Sequence, residues 1–223
     1  MKTIGVCLSG CGFLDGSEIH EAVCTLLALD QAGAKALCCA PNVAQSDVVD
    51  HLKQKPGDGP PRNVLIESAR IARGEIVELA TVRVEQIDGL IFPGGYGAAK
   101  NLCDFAARGA DCRVNPEVER LTTAALKARK PIGVICIAPA MLARIVGKLD
   151  LHPRLTIGTD RSTAEAINRM GAQHCDCPVR EMIVDEQHRI VSTPAYMLGR
   201  GPAEVFEGIS KLVKEVLRLA GAA

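Results

Sequence analysis

One cysteine lies between a strand-length apolar run and a segment of helix length. Cys136 follows the run IGVI (132–135) and precedes the segment IAPAMLA (137–143). A nucleophile on a sharp strand-to-helix turn is exposed at the carboxyl edge of the sheet, where α/β folds bind ligands. The partial positive charge of the helix N-terminus favours thiolate over thiol. Cys136 is therefore the candidate nucleophile, and the alternative is a core cysteine at the end of a buried strand.

A glycine cluster follows a second apolar run. Leu90, Ile91 and Phe92 precede Pro93, and the glycines Gly94 and Gly95 come next. Glycine lets backbone approach a ligand closely and donate N–H groups to a developing oxyanion. These two strand ends together predict a nucleophile beside an anion hole, whereas the glycines alone would indicate only a tight turn.

Two glutamates supply a candidate acid/base. Glu18 and Glu21 are three residues apart in a helical pattern, so they share one face. Asp15 and Glu18 have the spacing of a capping box, which gives Glu18 a structural role. Glu21 lies among apolar residues, and burial there would raise its pKa toward that of a carboxyl able to exchange a proton with a thiol. The alternative for Glu21 is a solvated helix residue.

Other groupings do not form a site by pattern. The segment His174-Cys175-Asp176-Cys177 has soft ligands but lacks the separated second pair of a structural zinc site. The histidines fall in loops or on helix surfaces, and none is adjacent to Cys136, so no triad histidine is assigned. We expect neither a metal nor a cofactor.

The elements that position these residues alternate along the chain. Apolar runs of strand length are separated by longer amphipathic stretches, which predicts an α/β fold with a mainly parallel sheet and helices on both faces. The predicted strands are Thr3–Leu8, Ala34–Ala40, Gly89–Phe92, Ile132–Cys136, Leu155–Ile157, Met182–Val184 and Ile190–Ser192. The predicted helices are Ser17–Gln31, Asn63–Arg73, Pro116–Arg129, Pro139–Val146, Thr163–Met170 and Ala203–Ala220.

The chain length suits one domain. Its 223 residues allow a single sheet covered by helices to bury a large core. The segment KQKPGDGPPR (53–62) is too rich in Pro and Gly for regular structure, so we interpret it as an exposed loop within that domain. The prediction is one domain spanning residues 1–223.

Composition excludes several classes of partner. The 26 basic and 26 acidic residues give zero formal charge, and there is no Trp, which disfavours nucleic acid. The N-terminus lacks the pattern of a signal peptide, and no stretch has the length of a membrane span. The ten cysteines lie mostly in apolar segments, as in a reduced compartment. We therefore predict a cytoplasmic protein without a membrane partner.

Six segments also carry a family resemblance. They are Leu8–Val23 (LSGCGFLDGSEIHEAV), Asn63–Gly74 (NVLIESARIARG), Phe92–Leu102 (FPGGYGAAKNL), Pro131–Leu142 (PIGVICIAPAML), Leu155–Asp160 (LTIGTD) and Ser192–Leu198 (STPAYML). Together they resemble the ThiJ/PfpI superfamily, whose fold is class I glutamine amidotransferase-like. Within it they resemble the ElbB-type glyoxalase family, once called sigma cross-reacting protein. The resemblance implies a flavodoxin-like three-layer sandwich with a nucleophile elbow.

The resemblance also implies roles. It makes Cys136 the nucleophile and Glu21 its hydrogen-bonded carboxylate, with the backbone N–H groups of Gly95 and Ile137 as the oxyanion hole. Glu18 and Gly94 are possible secondary residues. Similar proteins convert small aldehydes such as glyoxal and methylglyoxal to 2-hydroxy acids without glutathione or metal, and many are homodimers.

The chain departs from the wider superfamily at two positions. Many members have His directly after the nucleophile, where this chain has Ile137, and others have His where it has Gly158. Protease or amidotransferase chemistry needs His to protonate an amine leaving group, so both activities are disfavoured. Two alternatives to a glyoxalase stay open: a regulatory or redox-sensing protein with an oxidisable Cys136, and a deglycase that repairs glycated amines.

Overall fold

Strands and helices alternate along residues 1–221, the part of the chain that this computed structural model describes. The strands are β1 (Thr3–Cys7), β2 (Lys35–Ala40), β3 (Val49–Asp50), β4 (Lys55–Pro56), β5 (Ile76–Glu78), β6 (Gly89–Phe92), β7 (Ile132–Ile135), β8 (Arg154–Leu155), β9 (Gln173–His174), β10 (Ile183–Asp185) and β11 (Ile190–Thr193). The helices are α1 (Ile19–Gln31), α2 (Val64–Ile71), α3 (Tyr96–Lys100), α4 (Phe105–Arg108), α5 (Pro116–Lys127), α6 (Ala138–Lys148), α7 (Arg161–Arg169) and α8 (Pro202–Leu219). Residues 222 and 223 of the predicted domain lie outside the described range.

The main sheet has seven strands in the order β10-β11-β7-β6-β1-β2-β5. Every neighbouring pair is parallel except β10 and β11 at one edge. All residues of β6, β7 and β11 are buried, which explains why these strands are continuous apolar runs in the sequence. The prediction of an α/β fold with a mainly parallel sheet is confirmed.

Helices cover both faces of this sheet. On one face, buried residues of α1, α2 and α8, including Leu29, Val64 and Ile209, pack against the strands. On the other face, α5, α6 and α7 contribute residues such as Leu121 and Met141. The predicted three-layer sandwich is therefore the observed architecture. Within residues 1–221, no helix is both long and apolar enough to cross a membrane.

Several short elements differ from the prediction, among them β3, β9, α3 and α4, which have no predicted counterpart. The strand predicted at Leu155–Ile157 is β8, which pairs with β9 outside the main sheet. The edge strand β5 has no predicted counterpart, because its three residues are only partly buried or exposed and give no apolar run. Inside the predicted loop 53–62, β4 pairs with β3 through Val49 with Pro56 and Asp50 with Lys55. That interpretation was wrong at two residues, since proline is tolerated in a strand that is an edge.

Candidate active site

Cys136 lies on a strained turn between β7 and α6. Its φ is 60°, a left-handed value that is uncommon for a residue other than glycine. Its N–H donates to the Thr193 carbonyl at 3.0 Å, and Ile137 is the N-cap of α6. Such strain persists where the surrounding structure fixes it, and it is frequent at functional sites. The sharp strand-to-helix turn predicted from the sequence is confirmed.

The glycine cluster lies beside Cys136 because β6 and β7 are adjacent. These strands are parallel, with Phe92 opposite Val134, so both carboxyl ends meet at one edge of the sheet. Gly95 and Ile137 line the same cleft as Cys136, and their backbone N–H groups lower the pKa of its thiol. Gly95 has a φ of 90°, and a Cβ there would lie 2.2 Å from the Glu18 backbone nitrogen. Only glycine fits this close approach.

Glu21 reaches the same point from α1. Its side chain is fully buried. A Cβ on Gly94 would lie 2.5 Å from the Glu21 Oε2 and 2.4 Å from the Cys136 Cβ, so the carboxyl and the cysteine are neighbours across this glycine. The Oε2 of Glu21 accepts from the Gly94 N–H at 2.9 Å, and its Oε1 accepts from the Tyr196 N–H at 3.1 Å. Each carboxyl oxygen is thus held by one backbone donor, which fixes the orientation of the group toward sulfur.

Burial raises the pKa of Glu21 to about 8, against the lowering effect of its hydrogen bonds with the Tyr196 N–H, the Cys136 thiol and the Gly94 N–H. The negative charge of nearby Glu18 raises it further. Desolvation disfavours the charged carboxylate, so Glu21 holds its proton near neutral pH. The prediction of a buried glutamate with a raised pKa is confirmed.

The thiol behaves differently from the prediction. Burial raises the pKa of Cys136 above its ordinary value, and the negative charge of Glu21 raises it further. The N–H groups of Gly95 and Ile137 lower it, but their effect is smaller. The helix N-terminus favours thiolate as expected, through the Ile137 N–H, but burial outweighs this effect. The sequence does not reveal that Cys136 is only 7% exposed.

Glu18 caps α1. Its side chain accepts from the Glu21 N–H at 2.6 Å, so the helix begins at Ile19. The predicted capping box was wrong, since Asp15 instead accepts from the Val49 N–H at 2.8 Å. The Glu18 side chain also lines the cleft that contains Cys136, and burial raises the pKa of this carboxyl. Glu18 combines a structural role with a place in the lining of this cleft.

A cleft of about 520 Å³ lies over Cys136. Gly95, Ile137 and Glu18 line it, together with aromatic residues and Met197. Sequence reasoning assigned no role to Tyr196, which lines the cleft and donates its N–H to Glu21. Its position after β11, next to β7 in the sheet, is the signal that could have found it.

No histidine is among the lining residues within the described range. His20 contacts the cleft wall from behind, with its Nδ1 2.7 Å from the Tyr196 hydroxyl oxygen. The residue directly after Cys136 is Ile137. The arrangement is a cysteine with a glutamate, without an imidazole to protonate an amine.

Gly94 is a position at which we expect substitution to disrupt the site. A Cβ there would lie 2.4 Å from the Cys136 Cβ and 2.5 Å from the Glu21 Oε2. Gly94→Ala should therefore lower the free energy of unfolding by about 3 kcal/mol, the upper end of the range for overpacking. Urea titration measures this change. The control is Gly201→Ala, where nothing lies within 4 Å of the added methyl group; equal stability of the two variants would contradict the packing at Gly94.

The fold and the site have counterparts among known proteins. The chain is 44% identical to the human "Glutamine amidotransferase-like class 1 domain-containing protein 3, mitochondrial" over 98% of this chain and 83% of that protein. A crystal structure from Ehrlichia chaffeensis, described as an isoprenoid biosynthesis protein with an amidotransferase-like domain, is 38% identical. It superposes with a TM-score of 0.92 over 98% of this chain and 99% of that one. No protein-family model matches the chain.

More distant structures share the fold alone. Drosophila melanogaster DJ-1beta superposes with a TM-score of 0.55 at 18% identity, covering 99% of this chain and 91% of that chain. The sheet order and the elbow therefore define an α/β protein of the DJ-1/ThiJ/PfpI fold. Within that class, the chain belongs to the family of glutamine amidotransferase-like class 1 domain-containing proteins.

Proposed function

We propose that this protein is an ElbB-type glyoxalase that converts 2-oxoaldehydes such as glyoxal and methylglyoxal to 2-hydroxy acids without glutathione. The observation that carries the proposal is the position of Cys136 next to the buried Glu21 carboxyl, across Gly94, in a cleft that Gly95 and Ile137 also line. A nucleophile, a proton carrier and an anion site are what addition to an aldehyde requires.

The first step forms a carbon–sulfur bond. The reactive state has a Cys136 thiol and a Glu21 carboxylate, which together hold one proton. This proton moves from sulfur to the carboxylate as sulfur attacks the aldehyde carbon. The electrons of the carbonyl π bond move to oxygen, where the N–H groups of Gly95 and Ile137 stabilise the negative charge. Glu21 then protonates this oxygen, and the product is a neutral hemithioacetal.

The second step moves a proton between adjacent carbons. A carboxylate removes the hydrogen of the former aldehyde carbon as a proton is added to the ketone oxygen, which gives an enediol. The neighbouring carbon is then protonated while the hydroxyl on the former aldehyde carbon loses its proton and becomes the thioester carbonyl. Glu21 exchanges its proton with sulfur and Glu18 lines the same cleft, so these two carboxyl groups are the candidates to carry this proton. The result is a thioester of a 2-hydroxy acid. Water hydrolyses it, which releases the acid and restores the thiol.

The geometry and the raised pKa of Cys136 also bear on the two alternative functions, a redox sensor and a deglycase. Oxidation by peroxide begins from thiolate, so the raised pKa of Cys136 gives no support to a redox sensor. A deglycase would use the same cysteine and would be revealed by amine release that persists after free aldehyde is scavenged. The homodimer and the cytoplasmic location stay predictions, beside a human relative whose name places it in mitochondria.

The decisive experiment is turnover by the purified protein. With methylglyoxal and no glutathione, we expect lactate in an amount equal to the aldehyde consumed. Chromatography of the product measures it, with heat-denatured protein as the blank. Aldehyde consumption without lactate, or lactate formation only when glutathione is added, would contradict the proposal.

The pH dependence of this turnover follows from Glu21. At low pH the Glu21 carboxyl and the Cys136 thiol each hold a proton, and the reactive form of the site has lost one of these two. Loss of the first proton is governed by the pKa of Glu21, which is raised to about 8. Therefore kcat/KM should rise about tenfold per pH unit well below 8 and level off above it, because this parameter reports the pKa of the free enzyme. Initial rates between pH 6 and 9 measure the profile, and a plateau already present at pH 6 would contradict the assigned protonation.

A further inference from the structure

The aromatic residues of this chain are concentrated around the nucleophile. The sequence holds four Phe, two Tyr and no Trp. Four of these six line the cleft over Cys136, namely Phe13, Tyr96, Phe105 and Tyr196. Phe13 is 41% exposed and Tyr96 is 51% exposed, although large apolar side chains are usually buried. Exposed aromatic groups that converge on one concave surface mark a ligand site.

The cleft is larger than is required to bind the smallest 2-oxoaldehydes. Its volume of about 520 Å³ lies within the range of roughly 300–1,000 Å³ for clefts that hold drug-sized ligands. Methylglyoxal carries a single methyl group beside its two carbonyls and would leave the aromatic wall without contacts. A substrate with a ring on the same carbon would cover that wall while its aldehyde reaches sulfur.

The charges of the cleft are all acidic. Among the described residues that line it, Glu18 and Asp160 are ionisable acids and none is Lys, Arg or His. The Asp160 carboxylate accepts from the Thr163 N–H and the Ser162 hydroxyl, each at 2.9 Å, which favours its charged form. Lys100 approaches Tyr96, but it pairs with Asp47 at 2.8 Å. An anionic group on a substrate would meet negative charge without a cation to balance it.

Resting on the proposed function, we infer that the preferred substrate is a 2-oxoaldehyde that carries an aromatic group and no negative charge. The aromatic wall binds the ring of this substrate, and Asp160 rejects anionic analogues. This preference depends on the aromatic side chains and Asp160, which line the cleft. It does not depend on the reacting groups, Cys136 and Glu21.

Three aldehydes of matched chemistry test the inference. They are methylglyoxal, phenylglyoxal and 4-carboxyphenylglyoxal, of which the last two differ by one para carboxylate; the Asp160→Asn variant separates the effect of its charge from that of its size. We expect kcat/KM for phenylglyoxal, measured by mandelate formation, to exceed that for methylglyoxal at least tenfold. The value of kcat/KM for 4-carboxyphenylglyoxal should be at least tenfold lower than that for phenylglyoxal.

Two variants and a control assign these differences to residues. Tyr96→Ala should reduce the preference for phenylglyoxal over methylglyoxal several-fold, whereas Ile66→Ala, at an exposed apolar residue of α2, should not. Asp160→Asn should reduce the ratio of kcat/KM for phenylglyoxal to kcat/KM for 4-carboxyphenylglyoxal. Because Asn is an equally good N-cap, it keeps the start of α7 intact.

The outcomes separate this inference from the function on which it rests. Turnover of methylglyoxal at least as efficient as that of phenylglyoxal would overturn the inference and leave the glyoxalase proposal standing. Equal turnover of the neutral and carboxylated substrates would overturn the charge argument. Failure of all three aldehydes to give a 2-hydroxy acid would instead overturn the proposed function itself.

Discussion

Glu21→Gln should abolish turnover and at the same time make the Cys136 thiol more acidic. The negative charge of Glu21 raises the pKa of Cys136, and a neutral amide of the same shape removes that effect. The Gly95 and Ile137 N–H groups, which lower the pKa of the thiol, stay in place. The variant also loses the group that carries protons, so kcat should fall about 10²–10⁴-fold.

The measurement combines two assays on one variant. Iodoacetamide labelling of Cys136 is followed by mass spectrometry across pH, since nine other cysteines are free. Its midpoint should lie at lower pH in the variant than in the wild type, while lactate formation is lost. A midpoint that moves to higher pH, or turnover that survives, would show that Glu21 does not act on Cys136.

A matched control accounts for structural effects. Both oxygens of Glu21 accept a backbone N–H, and Gln can satisfy only one of them, which costs about 1–3 kcal/mol of stability. Glu67 is another buried helix glutamate, and it pairs with Arg70 at 2.9 Å. Glu67→Gln should also destabilise the protein, but it should leave the labelling midpoint and turnover of the folded fraction unchanged.

Cys136→Ser should reduce turnover to the background rate. The hydroxyl of serine is a much weaker nucleophile than sulfur, and the site offers no histidine to activate it. We expect a loss of at least about 10³-fold in kcat/KM, comparable to the removal of a nucleophile from other covalent enzymes. Initial rates of lactate formation at methylglyoxal concentrations well below KM measure the loss.

Cys24→Ser provides the control for this substitution. Cys24 is a half-buried thiol on α1, three residues after Glu21, and it does not line the cleft. This variant should keep at least half of the wild-type activity. If Cys136→Ser turned methylglyoxal over as fast as Cys24→Ser, the chemistry would belong to another residue.

The position of the candidate site could be read from local sequence. The run before Cys136 and the glycines after Phe92 mark two strand ends, and the parallel sheet brings both to one edge. The apolar neighbours of Glu21 indicated its burial, which the structure confirms. These features are local because strand length, turn composition and helical periodicity are encoded within a few residues.

The remaining features depend on contacts between distant segments. The edge strand β5 has no pattern of its own and forms because β2 offers it a partner. Asp15 does not cap α1, because its carboxylate accepts the Val49 N–H from strand β3, more than thirty residues away. Tyr196, which follows β11, completes the hydrogen bonds of Glu21. None of these partners is predictable from the residues nearby.

The sequence by itself determined the class of fold, the turn that carries Cys136 and the helix that presents Glu21. Only the tertiary structure decided the proton affinity of the thiol. The helix N-terminus that favours thiolate is local and visible in the sequence, whereas desolvation is the sum of every segment packed around the sulfur. Because desolvation outweighs the backbone donors here, Cys136 keeps its proton until Glu21 can accept it.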